Sequence, residues 1–210
     1  MNKGIFTTVG LLAAVVTLIF SLQFLRFQDT GPLTPEQLQK YNTVLLGTPR
    51  QLSPVPLLDK NSDDFTINDF AGNWSLVNFG YTHCPDVCPT NLLTLSKIMN
   101  LMESEGTKLP QIYMATVDPK RDTPARLAEY LEFFDPRMEA LWSDEQTMSD
   151  FARQLNNLFL KGKEKTELDY LVDHSDNIAI LNNDGVFVGI FRPPHQIEDI
   201  AFVMTNLMSQ

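Results

Sequence analysis

Trp74-Ser-Leu-Val-Asn-Phe-Gly-Tyr-Thr-His-Cys-Pro-Asp-Val-Cys-Pro-Thr90 is the stretch on which the fold turns. Its first six residues make a mostly apolar run, suited to a central strand buried on both faces. Beyond it, Leu92, Leu95, Ile98, Met99 and Met102 recur at helical spacing and form a buried stripe. The segment between them is therefore a strand-to-helix turn, and it holds both cysteines of the chain, Cys84 and Cys88. Main-chain N–H groups and the positive end of a helix dipole favour thiolates at such a turn. Pro89 lacks an N–H and fits only within the first turn of its helix. The helix then starts near Asp86, with Cys84 just upstream and Cys88 in the opening turn. Four residues of helix rise about 6 Å, within the roughly 4.4–6.8 Å Cα separation a disulfide accepts. The same closeness lets both sulfurs reach one metal. Redox chemistry, a soft metal and a plain stabilising disulfide all fit this geometry. The last is the least suited, because so short a loop gives a bridge little entropic leverage.

Working outward, the pattern alternates strands and helices. Val55-Pro-Leu-Leu-Asp59 and Asp64-Phe-Thr-Ile67 flank a polar turn and read as a hairpin. Gln111-Ile-Tyr-Met-Ala-Thr-Val117 is the strand after the cysteine helix. It runs into Asp118-Pro-Lys-Arg-Asp-Thr-Pro124, where Thr123 caps a helix that Pro124 begins. Leu127, Tyr130, Leu131 and Phe134 form the inner face of that helix. A further helix is expected over about 144–158, with Met148, Phe151, Ala152 and Leu155 inside. The charged segment Lys161-Gly-Lys-Glu-Lys-Thr-Glu167 reads as an exposed connection. Asn177-Ile-Ala-Ile-Leu181 and Val186-Phe-Val-Gly-Ile190 are strands whose Asp-Gly link predicts a tight hairpin. A last amphipathic helix carries Ile197, Ile200, Ala201, Val203, Met204 and Leu207. This order predicts an α/β fold, a thioredoxin-like sandwich with a central mixed sheet, its parallel pair joined by the cysteine-bearing helix through a right-handed crossover.

The N-terminus predicts an appendage. Gly4 to Leu25 is 22 residues without a charge, between Lys3 and Arg26. As a helix it spans about 33 Å, enough for a hydrocarbon core of about 30 Å. No A-x-A cleavage pattern follows it, which favours an uncleaved transmembrane anchor over a signal peptide. The expected organisation is an anchor over 1–27, a proline-bearing linker over 28–52 and a folded domain over 53–210. Within the linker, Thr34 and Pro35 open a short helix as N-cap and first helical residue. A net charge of −10 excludes nucleic acid as a partner.

Two thiolates are an incomplete site for most metals, so the three histidines decide what else is at hand. His83 adjoins Cys84, and neighbouring side chains of an extended segment leave on opposite faces; it is expected at the surface or behind the ligands. His195, in Arg192-Pro-Pro-His-Gln196, sits at the start of the last helix, where a solvated or capping role is expected. His174, in Tyr170-Leu-Val-Asp-His-Ser175, immediately precedes a strand. In a thioredoxin-like sandwich that loop folds back over the cysteines, at the place where redox members of the fold carry a cis-proline. No proline lies between Pro136 and Pro193, and an imidazole there suits metal binding better than dithiol exchange.

Three blocks, Tyr81-Thr-His-Cys-Pro-Asp-Val-Cys-Pro89, Val117-Asp-Pro-Lys-Arg-Asp-Thr-Pro124 and Tyr170-Leu-Val-Asp-His-Ser175, make the chain resemble the Sco/SenC family. The likeness covers most of residues 53–210. It implies a membrane-anchored, thioredoxin-like copper chaperone for cytochrome c oxidase, with Cys84, Cys88 and His174 as the copper ligands. Asp86, Asp118 and Asp173 match acids of the family motifs, with no metal-binding role expected. Cu(I) prefers soft thiolates and tolerates three-coordination, which an imidazole completes; Cu(II) is the other state to consider. A structural zinc site wants a fourth protein ligand, and none is evident. The methionines fall mostly at buried helical positions and are read as core.

The resemblance implies as partners the copper-site subunit of the oxidase, an upstream copper donor and a thiol reductant. The alternative activity is a thiol–disulfide oxidoreductase that uses Cys84 and Cys88 as a redox pair to reduce the oxidase's own copper-site cysteines. A peroxidase of the same fold lacks its P-x-x-x-T-x-x-C pattern here. The absence of an Arg-rich presequence favours a bacterial inner membrane, crossed once, with the C-terminal domain in the periplasm.

Overall fold

A computed structural model of the chain describes residues 12, 16–18, 32–162 and 170–210. Two compact units emerge, Met1–Leu33 and Thr34–Gln210. In the first, Leu12 and residues 16–18 are helical and exposed. The rest of the expected anchor lies outside the described residues, among which no helix is long and apolar enough to cross a membrane.

The second unit opens with α1 (Pro35–Lys40), started by a capping box in which Thr34 and Gln37 satisfy each other's main-chain N–H. Then come β1 (Thr43–Arg50), β2 (Leu57–Leu58), β3 (Asp64–Phe65), a 3₁₀ turn at Ile67–Phe70, β4 (Ser75–Gly80), α2 (Val87–Ser104) and β5 (Gln111–Thr116). The chain continues through α3 (Pro124–Glu132), β6 (Glu139–Leu141), α4 (Glu145–Gln154), β7 (Phe159–Lys161), β8 (Val172–His174), β9 (Ile178–Leu181), β10 (Phe187–Phe191) and α5 (Ile197–Met208).

The main sheet has the order β1-β10-β9-β4-β5-β6. β4, β5 and β6 are mutually parallel, while β9, β10 and β1 add antiparallel edges. This is the mixed sheet the element order predicts. β4 is buried along its whole length, as its mostly apolar run requires with helices on both sides. Val77, Phe79, Tyr113 and Ala115 share one face and one core with Met148, Phe151 and Ala152 of α4 and with Leu155 just after it. α2 and α5 pack against each other, and the α2 stripe of Leu92, Leu95, Ile98, Met99 and Met102 is almost wholly buried. Each such side chain contributes roughly 1.5–3 kcal/mol. Met114, Met138, Met148 and Met204 are likewise core.

Three expectations are corrected. Residues 43–50, expected in a linker, form the edge strand β1, paired antiparallel with β10 from Thr43↔Phe191 to Arg50↔Phe187. Thr43-Val-Leu-Leu46 has the β-branched and apolar composition of a strand, and an edge position tolerates Pro49, which has no N–H to give to a ladder. The helix expected over 144–158 stops at Gln154, because Asn156 takes a left-handed φ of 56° and turns the chain. The residues beyond it become β7, which pairs with β8 as a separate two-stranded ribbon. Lys161, expected in an open connection, is therefore a strand residue; residues 163–169 lie outside the described ones.

Candidate metal centre

The end of β4 and the start of α2 place the two cysteines. Asp86 is the N-cap of α2 and Cys88 lies in its first turn, as the position of Pro89 requires. Both cysteines are free thiols. The Cys88 N–H donates to Cys84 Sγ at 3.3 Å, so one sulfur sits at the open end of the helix. Cys88 is fully buried and Cys84 half-buried. Gly80 permits this approach: a Cβ there would lie 3.3 Å from both Cβ and Sγ of Cys88. Thr82 is held from below by the buried Asp122, whose carboxylate accepts from the Thr82 N–H and hydroxyl and from the Thr116 hydroxyl. Burial raises the Asp122 carboxyl above the ordinary range, against the lowering effect of these donors.

The third group arrives on the β7–β8 ribbon. His174 ends β8, opposite Phe159, and its Nε2 lies 3.3 Å from Cys88 Sγ. One donor atom each from Cys84, Cys88 and His174 falls within 4.8 Å of the others. His174 Nδ1 is 3.0 Å from the Ser175 carbonyl. A carbonyl only accepts, so Nδ1 carries the proton and Nε2 turns its lone pair toward the sulfurs. Burial, then the neighbouring Cys84, push the Cys88 thiol well up from its usual value. A thiol so buried keeps its proton until a cation replaces it, and metal binding then releases it. The donor set of two sulfurs and one imidazole fits a soft, low-coordinate ion.

The other candidates lie elsewhere. His83 is exposed, with Nδ1 3.1 Å from the Thr82 hydroxyl. His195 Nε2 faces the Asp176 carbonyl at 2.8 Å. Asp86 and Asp173 are exposed. Asp118 is buried, paired with Arg121 and accepting from the Tyr170 hydroxyl at 2.6 Å. None of these five belongs to the three-donor cluster. Sequence reasoning missed Gly80, Arg121, Asp122 and the roles of Tyr81 and Tyr170. The signal available for them was that all but Gly80 stand inside the three motif blocks without an obvious surface role.

Comparisons with known proteins place the chain in one family. Residues 46–209 match the model of the SCO1/SenC family. The mouse mitochondrial SCO2 homolog is 36% identical over 146 residues, which cover 69% of this chain and 57% of that protein; the chain thus spans little more than half of this relative. The structure of Bradyrhizobium japonicum ScoI with copper bound is similar at a TM-score of 0.66 and 34% identity, over 74% of this chain and 98% of that one. Yeast Sco1 with copper bound is similar at a TM-score of 0.71 and 28% identity, over 77% and 90%.

Proposed function

The chain belongs to the SCO1/SenC family, and on that premise we propose that it is a copper chaperone holding Cu(I) through Cys84, Cys88 and His174. The observation that carries this reading is the convergence of two thiol sulfurs and a correctly oriented imidazole within 4.8 Å, on residues contributed by two separate parts of the fold. The copper-bound forms of its bacterial and yeast relatives support the choice of cargo. The recipient is the dinuclear copper site of cytochrome c oxidase, and delivery is by ligand exchange. An incoming recipient thiolate bonds to the ion as one donor sulfur leaves and takes up a proton, and the exchange repeats until the ion has moved. Cu(I) stays Cu(I) throughout. The half-buried Cys84 is the sulfur within reach of a partner, whereas Cys88 lies beneath it. The uncharged segment Gly4 to Leu25 supports a single-pass anchor in a bacterial inner membrane, with the thioredoxin-like unit in the periplasm.

Anaerobic Cu(I) titration of the full chain tests the reading. One ion per chain is expected, with affinity lowered by Cys84→Ser and by His174→Ala; unchanged affinity in both variants overturns it. A second reading is favoured by one observation. An accessible sulfur beside a buried one, with no disulfide between them, is also the arrangement of a dithiol reductant. Oxidation of Cys84 and Cys88 to a disulfide would supply two electrons to a disulfide in the recipient, and a thiol reductant would restore the pair. His174→Ala separates the two readings, since it removes a copper ligand and leaves the dithiol.

A further inference from the structure

We propose that Arg121 is a positioning residue for His174, acting through the two tyrosines that tie the β7–β8 ribbon to the rest of the fold. The ribbon is a problem of placement. Among the described residues it forms its own two-stranded sheet and shares no ladder with the six-stranded one, so main-chain pairing seen there does not set where His174 stands over the sulfurs. Side chains do. The Val172 N–H donates to the Tyr81 hydroxyl at 3.2 Å, two residues from His174 and on the same face of the strand. The Tyr81 ring also meets the His174 imidazole edge-on, with centroids 6.2 Å apart and planes at 86°. Tyr170, next to the start of β8, donates its hydroxyl to Asp118 at 2.6 Å.

Arg121 joins these contacts into one device. Its guanidinium lies 3.7 Å from the centre of the Tyr170 ring and 5.5 Å from that of Tyr81. It is paired with Asp118, the same carboxylate that receives the Tyr170 hydroxyl. Lys161 of β7 adds a second cation over Tyr170, at 4.0 Å. A ladder of cations and rings therefore runs from β7 through Tyr170, Arg121 and Tyr81 to the imidazole. Arg121 and Asp118 are 5% and 3% exposed. A pair so buried adds little net stability once desolvation is counted, whereas the planar guanidinium imposes direction on both rings it touches. Its function is geometric. Phe159 and Val172 also pack into the hydrophobic core, which anchors the ribbon by apolar contact besides this ladder; what the ladder adds is the angle at which the imidazole is presented.

This inference rests on His174 acting as a ligand, and the test keeps the two ideas apart. Cu(I) affinity of the full chain is measured anaerobically by competition with a chelator, for the wild type, Arg121→Met, Arg121→Lys, Tyr170→Phe, His174→Ala and the Arg121→Met/His174→Ala double variant. Arg121→Met is expected to weaken binding about tenfold or more, the range found when a group orienting a metal-bound histidine is lost. Tyr170→Phe weakens it in the same direction, and Arg121→Lys restores part of the loss. In the His174→Ala background Arg121→Met costs nothing further. In the metal-free chain, Arg121→Met speeds amide exchange at Val172 and moves the ¹⁵N shifts of the His174 ring. The proposal is overturned if Arg121→Met lowers only the melting temperature, or if its loss and that of His174→Ala add in full. A wild type that binds no Cu(I) sinks the functional reading, and the metal-free exchange and ring shifts still decide the positioning role.

Discussion

Among the described residues, Asp86, Asp118, Asp122, Asp173 and Asp176 lie in or beside the three motif blocks, and burial sorts them. Asp86 and Asp173 face solvent, so replacing either with alanine leaves Cu(I) affinity unchanged. Asp122 is fully buried and receives three donors, two of them from Thr82 at the head of the cysteine loop. Asp122→Ala strands those donors, and a buried unpaired donor costs about 1–3 kcal/mol. Urea unfolding of the variant should show a loss of that size, with weaker Cu(I) binding because the loop before Cys84 loses its floor. Retention of wild-type affinity beside the stability loss would show that the loop holds its shape without Asp122. Asp118 takes its partners from Arg121 and Tyr170, and Asp176 receives the Asn91 amide. Charge at this site thus serves as scaffold, and the ligand set is neutral except for sulfur.

Among the elements, β1 has the most specific local requirement. It pairs with β10 across Gly189, where a Cβ would sit 2.5 Å from the Val44 carbonyl oxygen and 3.0 Å from the Leu45 Cα. Those are main-chain atoms, which cannot swing aside as a side chain can. Gly189→Ala is therefore expected to lift the edge strand and cost about 1–3 kcal/mol, the range for overpacking. Hydrogen exchange should locate the damage at residues 43–45. Cu(I) affinity should hold, since β1 stands three strands from β4 in the sheet order. Loss of copper binding in this variant would mean that the far edge is coupled to the site.

For the whole molecule, acid stability has an identifiable contributor. Arg137 donates to both carboxylate oxygens of Asp135 and reaches Glu103 and Asn100 of α2. The hydrogen bonds from Arg137 hold the Asp135 carboxyl below its ordinary value, against burial. A carboxyl lowered by folding stabilises above its unfolded pKa of about 3.9 and loses that contribution as pH falls through the lower folded value. Asp135→Asn should cost about 1–2 kcal/mol at pH 7, discounted for the part-exposed guanidinium. The gap to wild type should close as pH falls below about 4. A gap that persists at pH 2–3 would assign the effect to packing.

Local pattern was enough for much of this protein. The mostly apolar run of β4, the stripe of α2 and the N-caps at Thr34 and Thr123 depend on neighbours in the chain, and they are legible there. So are the cysteine pair at a helix start and the Asp-Gly turn at Gly185, whose φ is 72°. The strand in residues 43–50 was hidden because Pro49 and the other prolines around it read as linker, until an edge position made Pro49 acceptable. The ribbon was hidden because β7 and β8 are three residues each, too short for periodicity to register. The order of residues along the chain thus determined a mixed α/β sandwich with two thiols at a helix start. Only the tertiary structure decided how His174 is brought to 3.3 Å from Cys88 and what holds it there. The physical reason is range: helix, cap and turn act over a few residues, whereas Arg121, Tyr81 and Tyr170 meet only when β4, the turn after β5 and the ribbon are packed together.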